Sequence, residues 1–203
     1  MIDAGHLERE LADPIPDLPL PELSAAASAA GLLDIAYAKL DSPLGALLLA
    51  RTARGLLRVA YLDSSDEHEV LAQLAARVSP RILAAPRDLD QPRRELEEYF
   101  AGRRSSFELP IDWRLTRGFS RRVLEATALI PYGSVSTYRN VAGEAGSPRA
   151  SRAAGNALGS NPMPIVVPCH RVLHTGGGLG GYTGGLERKR LLLAIESGQQ
   201  TLA

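Results

Sequence analysis

Short apolar runs and helical periodicities make up the first half of the chain. Leucine-rich runs at 44–50 and 56–62, separated by Arg-Thr-Ala-Arg-Gly, predict a strand pair with a turn at that glycine, although the leucines leave a helix open. Apolar residues at helical spacing predict helices over 67–78 and 92–100. These elements together predict a small α/β domain over residues 31–112.

Residues 1–30 differ from this pattern. Four prolines lie between Pro14 and Pro21, and an alanine-rich stretch follows them. Because closely spaced prolines favour extended backbone, we expect an irregular N-terminal extension over these 30 residues.

Beyond Trp113 the apolar pattern becomes helical. It predicts a helix over 119–130, a second helix over 138–145 with Thr137 as its cap, and a third helix over 148–158 that begins at a Ser-Pro pair. The last two are joined by a short glycine-containing turn, which makes them a candidate helix-turn-helix. We assign residues 113–203 to this second domain.

The third of these helices carries a pattern that suits DNA. Small residues at 150–155 keep it slim, while Arg149 and Arg152 project from it. Helical hairpins also occur in many proteins that touch no nucleic acid, so the pattern favours a DNA contact without requiring one.

Composition and charge narrow the possibilities. Of 203 residues, 45% are hydrophobic and 23% charged, as in ordinary globular proteins. No apolar run approaches the roughly 18 residues of a membrane helix, and the first residues lack a secretory signal, so we expect a cytoplasmic protein.

The charge is divided unevenly along the chain. Residues 1–112 contain 12 Lys or Arg and 19 Asp or Glu, whereas residues 113–190 contain 11 Lys or Arg and 3 Asp or Glu. The basic half indicates a surface for a polyanion, although basic surfaces also serve solubility.

Cys169 is the only cysteine, which excludes an internal disulfide and a cysteine-rich zinc site. A lone cysteine is more often a small buried apolar residue than a reactive one. This one follows Pro162, Pro164 and Pro168, which forbid a regular helix, so we expect the thiol just after an extended, stiff segment. Its neighbour His170 is a base that can generate the reactive thiolate.

Pro-Cys-His-Arg at 168–171 resembles the active-site motif of the O6-alkylguanine-DNA alkyltransferase family, the methylated-DNA–protein-cysteine methyltransferases. The resemblance covers about residues 35–197. Further matching segments, in the family's order, are EEYFAGRRSSFELP (97–110), IPYGSVSTY (130–138), ASRAAG (150–155), Asn161-Pro162 and GGYTGGLERKRLLL (180–193). The resemblance implies an N-terminal RNase H-like α/β domain and a C-terminal, mostly helical, winged-helix-like domain that carries the helix-turn-helix.

The resemblance implies catalytic roles for five residues. Cys169 would accept the alkyl group, and His170 would act through a water as the base that keeps the sulfur a thiolate. Glu196 would orient and polarise that histidine, as in hydrolytic triads. Asn161 would tie the recognition helix to the active-site turn, and Tyr138 would help rotate the nucleotide and donate a proton toward guanine N3. Without the motif, Tyr138 and Glu196 would be a helix-surface aromatic and a helix-end carboxylate.

A second group would bind DNA or substrate. Arg152 would fill the gap left by the extruded base. Without the motif, this residue would be interpreted as a solvated surface charge. Tyr182 and Thr183 would approach the guanine oxygen. Arg171 joins the group, with a structural bridge between the two halves of the chain as its favoured role. The full set is Arg139, Arg149, Arg152, Arg171, Tyr182 and Thr183.

The implied function is direct repair of double-stranded DNA. The protein would flip an O6-alkylguanine, or an O4-alkylthymine, through the minor groove and transfer its alkyl group to Cys169. A thioether is a poor leaving group, so we expect one turnover, with no metal and no soluble cofactor. We expect a monomer, with cooperative assembly on DNA left open.

The chain departs from the family in places. The Cys and His zinc ligands of some members' N-terminal domains are absent, and WRLTRGFS at 113–120 replaces the usual Gly-Thr-Pro-Phe-Gln. The family's non-catalytic lesion binders share this architecture but lack the acceptor cysteine. A helix-turn-helix regulator with a merely packed Cys169 would bind as a dimer and select sequence. A cysteine hydrolase is disfavoured because no oxyanion-hole motif is present.

Overall fold

The computed structural model describes residues 20–198, so the part of the predicted extension before residue 20 lies outside the described residues. The first described element is helix α1, Leu20–Ala29. It corrects the expectation of an irregular segment up to residue 30. The helix ends in Ser-Ala-Ala-Ala-Ser-Ala, and alanine has the highest intrinsic helix propensity.

Four strands form one mixed sheet in the order β3-β2-β1-β4. They are β1 (Ile35–Leu40), β2 (Leu47–Thr52), β3 (Gly55–Tyr61) and β4 (Ile82–Ala84). Strands β1, β2 and β3 pair antiparallel, and β4 runs parallel to β1. The predicted strand pair is confirmed, and the helical alternative for the leucine runs is wrong. Leu48 and Leu57 pack on one face while Leu47 and Leu49 pack on the other, and strands buried on both faces carry continuous apolar runs.

One helix covers each face of the sheet. Helix α2, Glu67–Arg77, starts at Asp66, whose carboxylate accepts a hydrogen bond from the Glu69 amide at 3.1 Å. Val70 and Leu74 bury its apolar stripe against the sheet. Helix α3, Asp90–Phe100, packs on the opposite face. Both predicted helices are therefore confirmed.

The segment that links the two halves pairs with the sheet. The Leu56 amide donates to the Pro110 carbonyl at 2.8 Å, and the Asp112 amide donates to the Leu56 carbonyl at 2.8 Å. Gly55 permits this approach, because a Cβ built on it would lie 2.1 Å from the Pro110 oxygen and its φ is +136°. The turn glycine therefore also seats the connection between domains.

The second half is mostly helical. Its elements are α4 (Gly118–Ala128), β5 (Ser136–Thr137), α5 (Tyr138–Glu144), α6 (Ser151–Gly159), β6 (Val172–Leu173) and α7 (Leu186–Glu196), with 3-10 turns at Trp113–Leu115 and Cys169–Arg171. A further 3-10 turn, Pro86–Leu89, precedes α3. Thr137 caps α5 as predicted, accepting from the Asn140 amide at 3.2 Å. The predicted division into an α/β half and a mostly helical half is confirmed. Among the described residues, no helix is long and apolar enough to cross a membrane.

Helix α6 begins at Ser151, later than the predicted Pro148. The Ser147 amide donates to the Ala142 carbonyl at 2.8 Å, and Gly146 has a φ of +82°. These are the marks of a helix C-terminus. Ser147 therefore completes the end of α5 instead of capping α6, and the proline lies in the turn between the two helices.

The segment before the cysteine is compact, which corrects the expectation of an extended one. The Val167 amide donates back to the Met163 carbonyl at 2.9 Å, and Ile165 has a positive φ of 76°. The prolines exclude a regular helix, but they do not prevent a tight turn. Ile165 and Val166 pack into the core between the sheet and α7, so the turn is anchored by the N-terminal domain.

Candidate active site

A cavity of about 630 Å³ opens beside the only cysteine. Helices α5 and α6 and the loop before α7 form its walls. Its size lies within the range of small-molecule pockets, roughly 300–1,000 Å³. Five of the residues assigned from the sequence line it, namely Tyr138, Arg152, Cys169, Tyr182 and Thr183.

Asn161 holds both the sulfur and the turn behind it. Its amide nitrogen lies 3.2 Å from the Cys169 sulfur and donates to the Val167 carbonyl at 2.8 Å. Its carbonyl oxygen accepts from the Met163 amide at 3.0 Å. All of these groups are buried. One side chain at the end of α6 therefore sets the position of the thiol at the cavity.

Glu196, on the last turn of α7, gathers donors from several elements. The His170 Nε2 atom lies 2.8 Å from its carboxylate, and the Arg171 guanidinium donates to both of its oxygens. Burial alone would raise the pKa of Glu196, but the hydrogen bonds from His170 and Arg171 outweigh it and hold that pKa at about 2. Glu196 is therefore a carboxylate at neutral pH.

The carboxylate decides which nitrogen of His170 is free. Burial lowers the pKa of His170 below its ordinary 6.5 despite the opposing effect of Glu196, so the imidazole is neutral. Because a carboxylate only accepts hydrogen bonds, Nε2 carries the proton and Nδ1 presents a lone pair. Within residues 20–198, the buried Nδ1 has no hydrogen-bond partner. This nitrogen is therefore able to accept a proton.

The buried position of the sulfur opposes the thiolate that the family resemblance implies. Burial raises the pKa of the Cys169 thiol to about 11, while the Asn161 hydrogen bond and the Lys189 charge act in the opposite direction. At neutral pH the free protein therefore holds a thiol, because a charge is costly in this 4% exposed position. Ionisation then needs a proton acceptor, which His170 can provide.

Tyr99, on α3, belongs to this network although the sequence analysis did not assign it. Its hydroxyl donates to Glu196 at 2.6 Å and lies 3.5 Å from His170 Nε2. The N-terminal domain therefore reaches the candidate relay directly. The residue falls inside the segment 97–110 that carries the resemblance, but no periodicity links it to a glutamate 97 positions away.

Arg171 does not reach the cavity, which corrects its assignment to DNA or substrate binding. It is 6% exposed, and its guanidinium is occupied by Glu196 and by the Ile130 carbonyl. Both partners lie in the C-terminal half. Arg171 therefore does not bridge the two halves as predicted; the contact from the N-terminal half to Glu196 is made by Tyr99.

A glycine-rich loop closes one side of the cavity. Lys189 is fully buried and its ammonium donates to the carbonyls of Val172, Leu179 and Gly181, which fastens the loop to the core. Gly180 touches Tyr138, since a Cβ built on this glycine would lie 2.3 Å from the Tyr138 hydroxyl. Burial raises the pKa of Tyr138, so its phenol stays protonated.

Of the remaining predicted binding residues, some line the cavity and others lie elsewhere on the protein surface. Thr183 ties the loop to α6 by donating to the Gly159 carbonyl at 2.9 Å. Arg152 is exposed at the cavity wall on α6. Arg139 and Arg149 are also exposed, on α5 and on the turn before α6, and do not line the cavity.

Potential metal ligands do not cluster in the described part of the chain. Residues 20–198 contain no group of three or more His, Cys, Asp or Glu side chains that could hold a metal ion.

Two family models match the chain. Residues 35–113 match the model described as 6-O-methylguanine DNA methyltransferase, ribonuclease-like domain. Residues 118–198 match the model described as the DNA binding domain of the same methyltransferase. The two matched regions correspond to the two halves of the fold.

Similar proteins have been named and solved. A methylated-DNA–protein-cysteine methyltransferase of Mycolicibacterium paratuberculosis is 49% identical over 102 residues, which are 50% of this chain and 61% of that protein. The O6-methylguanine methyltransferase of Mycobacterium tuberculosis has a TM-score of 0.69 at 35% identity, covering 83% of this chain and 96% of that one. The OGT protein of the same organism in complex with DNA gives 0.69 at 36% identity, covering 82% and 96%.

Proposed function

This chain belongs to the 6-O-methylguanine DNA methyltransferase family, and from that premise we propose that it repairs DNA by transferring an alkyl group from O6-alkylguanine to Cys169. The matched segment covers 61% of the length of the Mycolicibacterium paratuberculosis relative. The proposed activity therefore depends on the side chains that this chain itself places at the cavity. The observation that carries the proposal is the position of the thiol. It borders a cavity of about 630 Å³ that is also lined by residues of α5 and α6, and His170 is its neighbour in the chain.

The reacting nucleotide must leave the duplex before the thiol can reach it, because an alkylated O6 is enclosed in the base stack. Extrusion costs about a few kcal/mol. Arg152, exposed at the cavity wall, occupies the gap in the stack, and Arg139 and Arg149 contact phosphates. Because phosphate contacts carry little sequence information, binding is largely independent of sequence.

The chemical step then follows. The Cys169 proton passes, through a water, to Nδ1 of His170, and the imidazolium is stabilised by Glu196. The sulfur attacks the alkyl carbon, a carbon–sulfur bond forms, and the carbon–O6 bond breaks with its electron pair going to the guanine. The Tyr138 phenol donates a proton toward N3 of the departing base, which leaves a neutral guanine.

The product is a thioether on the protein. It has no leaving group that water could displace easily, so each molecule acts once. All residues in the scheme come from one chain, so a monomer is sufficient.

A single-turnover assay tests this proposal. A duplex containing one O6-methylguanine is incubated with excess protein, and its nucleosides are then quantified. We expect guanine to replace O6-methylguanine in an amount equal to the protein consumed, with no free base released. Cys169→Ala should bind the same duplex and convert none of it. Tight binding by the wild-type protein without any conversion would instead identify a non-catalytic lesion binder.

A further inference from the structure

Tyr61 connects the N-terminal sheet to the cavity. It is the last residue of β3, and its hydroxyl lies 2.8 Å from the hydroxyl of Tyr182, which lines the cavity. The two rings meet edge to face, with centroids 6.4 Å apart. The Tyr61 side chain is 3% exposed, so it is part of the protein interior and not of its solvated surface.

Either hydroxyl could be the donor in this 2.8 Å contact, and the two arrangements differ in what the buried proton can reach. Within residues 20–198, the Tyr61 hydroxyl has no hydrogen-bond partner besides Tyr182. A buried hydroxyl that fails to donate loses a hydrogen bond at a cost in stability. This cost favours the arrangement in which Tyr61 donates and Tyr182 accepts. The proton of Tyr182 is then free to point into the cavity.

Both rings are held firmly in place. The Arg188 guanidinium stacks over the Tyr61 ring, 4.4 Å from its centroid, and donates to the carbonyls of Leu44 at 2.7 Å and Gly184 at 2.8 Å. Gly184 packs between the rings, because a Cβ built on it would lie 2.6 Å from Tyr61 and 2.9 Å from Tyr182. The pair is therefore fixed from the N-terminal domain and from the loop at once.

We propose that Tyr61 is a positioning residue, which sets the proton of Tyr182 to face the guanine oxygen as that oxygen departs. This inference rests on the proposed alkyl transfer. In that step the electron pair of the breaking carbon–oxygen bond moves onto the base, so negative charge develops at O6. A fixed donor aimed at developing charge accelerates such a step more than it strengthens binding.

A double-mutant cycle with Tyr61→Phe and Tyr182→Phe tests the proposal. Tyr61→Phe removes one oxygen and keeps the ring that packs on Arg188 and Gly184. We expect it to slow single-turnover transfer by roughly tenfold, the worth of one oriented hydrogen bond. Tyr182→Phe should slow transfer further, by on the order of a hundredfold. In the Tyr182→Phe background, Tyr61→Phe should have no additional effect, because there is no longer a proton to orient.

Two readouts separate positioning from folding. The amplitude of the single-turnover reaction reports how much protein is competent, and its rate constant reports the chemistry. We expect Tyr61→Phe to keep the amplitude and to leave the affinity for the lesion duplex unchanged when combined with Cys169→Ala. Tyr37→Phe removes the same atom from the opposite face of the sheet and serves as the matched control with wild-type rate.

The outcomes are distinct. Tyr61→Phe at the wild-type rate, or losses that multiply in the double variant, would overturn the positioning role while leaving the proposed transfer intact. A wild-type protein that transfers no alkyl group would overturn the proposed function itself.

Discussion

At the scale of single residues, the chemistry depends on which nitrogen of His170 carries a proton. Glu196 fixes this by accepting from Nε2, and burial keeps the imidazole neutral by lowering its pKa. The thiol beside it has a pKa of about 11, so without a base it would be almost entirely protonated at pH 7. In the proposed transfer, the pair of residues, and not the cysteine alone, makes the reactive species.

The pH dependence of transfer follows from these two groups. Wild-type transfer should fall at acid pH, below the ordinary histidine value of 6.5, because a protonated His170 cannot accept the thiol proton. His170→Ala should be much slower at pH 7 and should gain about tenfold per pH unit toward the pKa of the thiol. Single-turnover rates from pH 5 to 10 measure this. His68→Ala, an exposed histidine on α2, is the control, and a His170→Ala profile identical to wild type would refute the base assignment.

At the scale of elements, the loop between β6 and α7 determines the shape of the cavity. Lys189 anchors the loop to the core through hydrogen bonds to backbone carbonyls, and Thr183 anchors it to α6 through a hydrogen bond to the Gly159 carbonyl. Gly180 packs directly against the Tyr138 side chain, and its φ of +67° is one that other residues rarely adopt. The loop therefore has little freedom to accept a larger residue at this point.

Gly180→Ala should displace Tyr138 and slow alkyl transfer. Misplacing a reacting group by about 1 Å can cost roughly a hundredfold in rate, so a loss on that order is expected in the single-turnover assay. Gly176→Ala lies in the same loop, with no atom within 4 Å of the added Cβ, and should react at the wild-type rate. Equal rates for Gly180→Ala and Gly176→Ala would show that the loop does not constrain Tyr138.

The elements also show how far sequence reasoning reaches. Strands β2 and β3 and helices α2, α3 and α5 follow from local periodicity and caps, which act within a few residues. The start of α6 was mispredicted because Ser147 serves the end of the preceding helix. The compact turn before Cys169 was missed because the side chain of Asn161 and the N-terminal domain hold it, and neither contact leaves a local pattern.

At the scale of the whole molecule, the two domains share one network and one core. Tyr99 from α3 meets Glu196 from α7, and Val59 from β3 donates to the Pro162 carbonyl at 2.9 Å. The sequence predicted five residues that line the cavity but not Tyr99 or Tyr61, which approach from the other domain. Motif resemblance assigns residues near the reacting atoms, whereas contacts across a domain boundary depend on the folded arrangement.

The shared carboxylate makes a prediction about acid stability. The pKa of Glu196 is lowered from 4.5 to about 2 in the folded state, so its contribution is present above pH 4.5 and is lost as pH falls toward 2. Wild type should lose roughly 3 kcal/mol of unfolding free energy over that interval from this group. Urea unfolding at a series of pH values measures it. Glu196→Gln should be less stable at pH 7 and should lack this part of the acid dependence, whereas Glu144→Gln, an exposed carboxylate, should follow wild type.

The most direct measurement is the mass of the protein after it meets its proposed substrate. The protein is incubated with a duplex that carries O6-methylguanine, and the intact mass and the peptide containing Cys169 are then determined. The account predicts a gain of one methylene on that peptide and on no other, reaching one per molecule and stopping there. An unchanged mass after the lesion has been bound, or a methyl group found on a different residue, would contradict it.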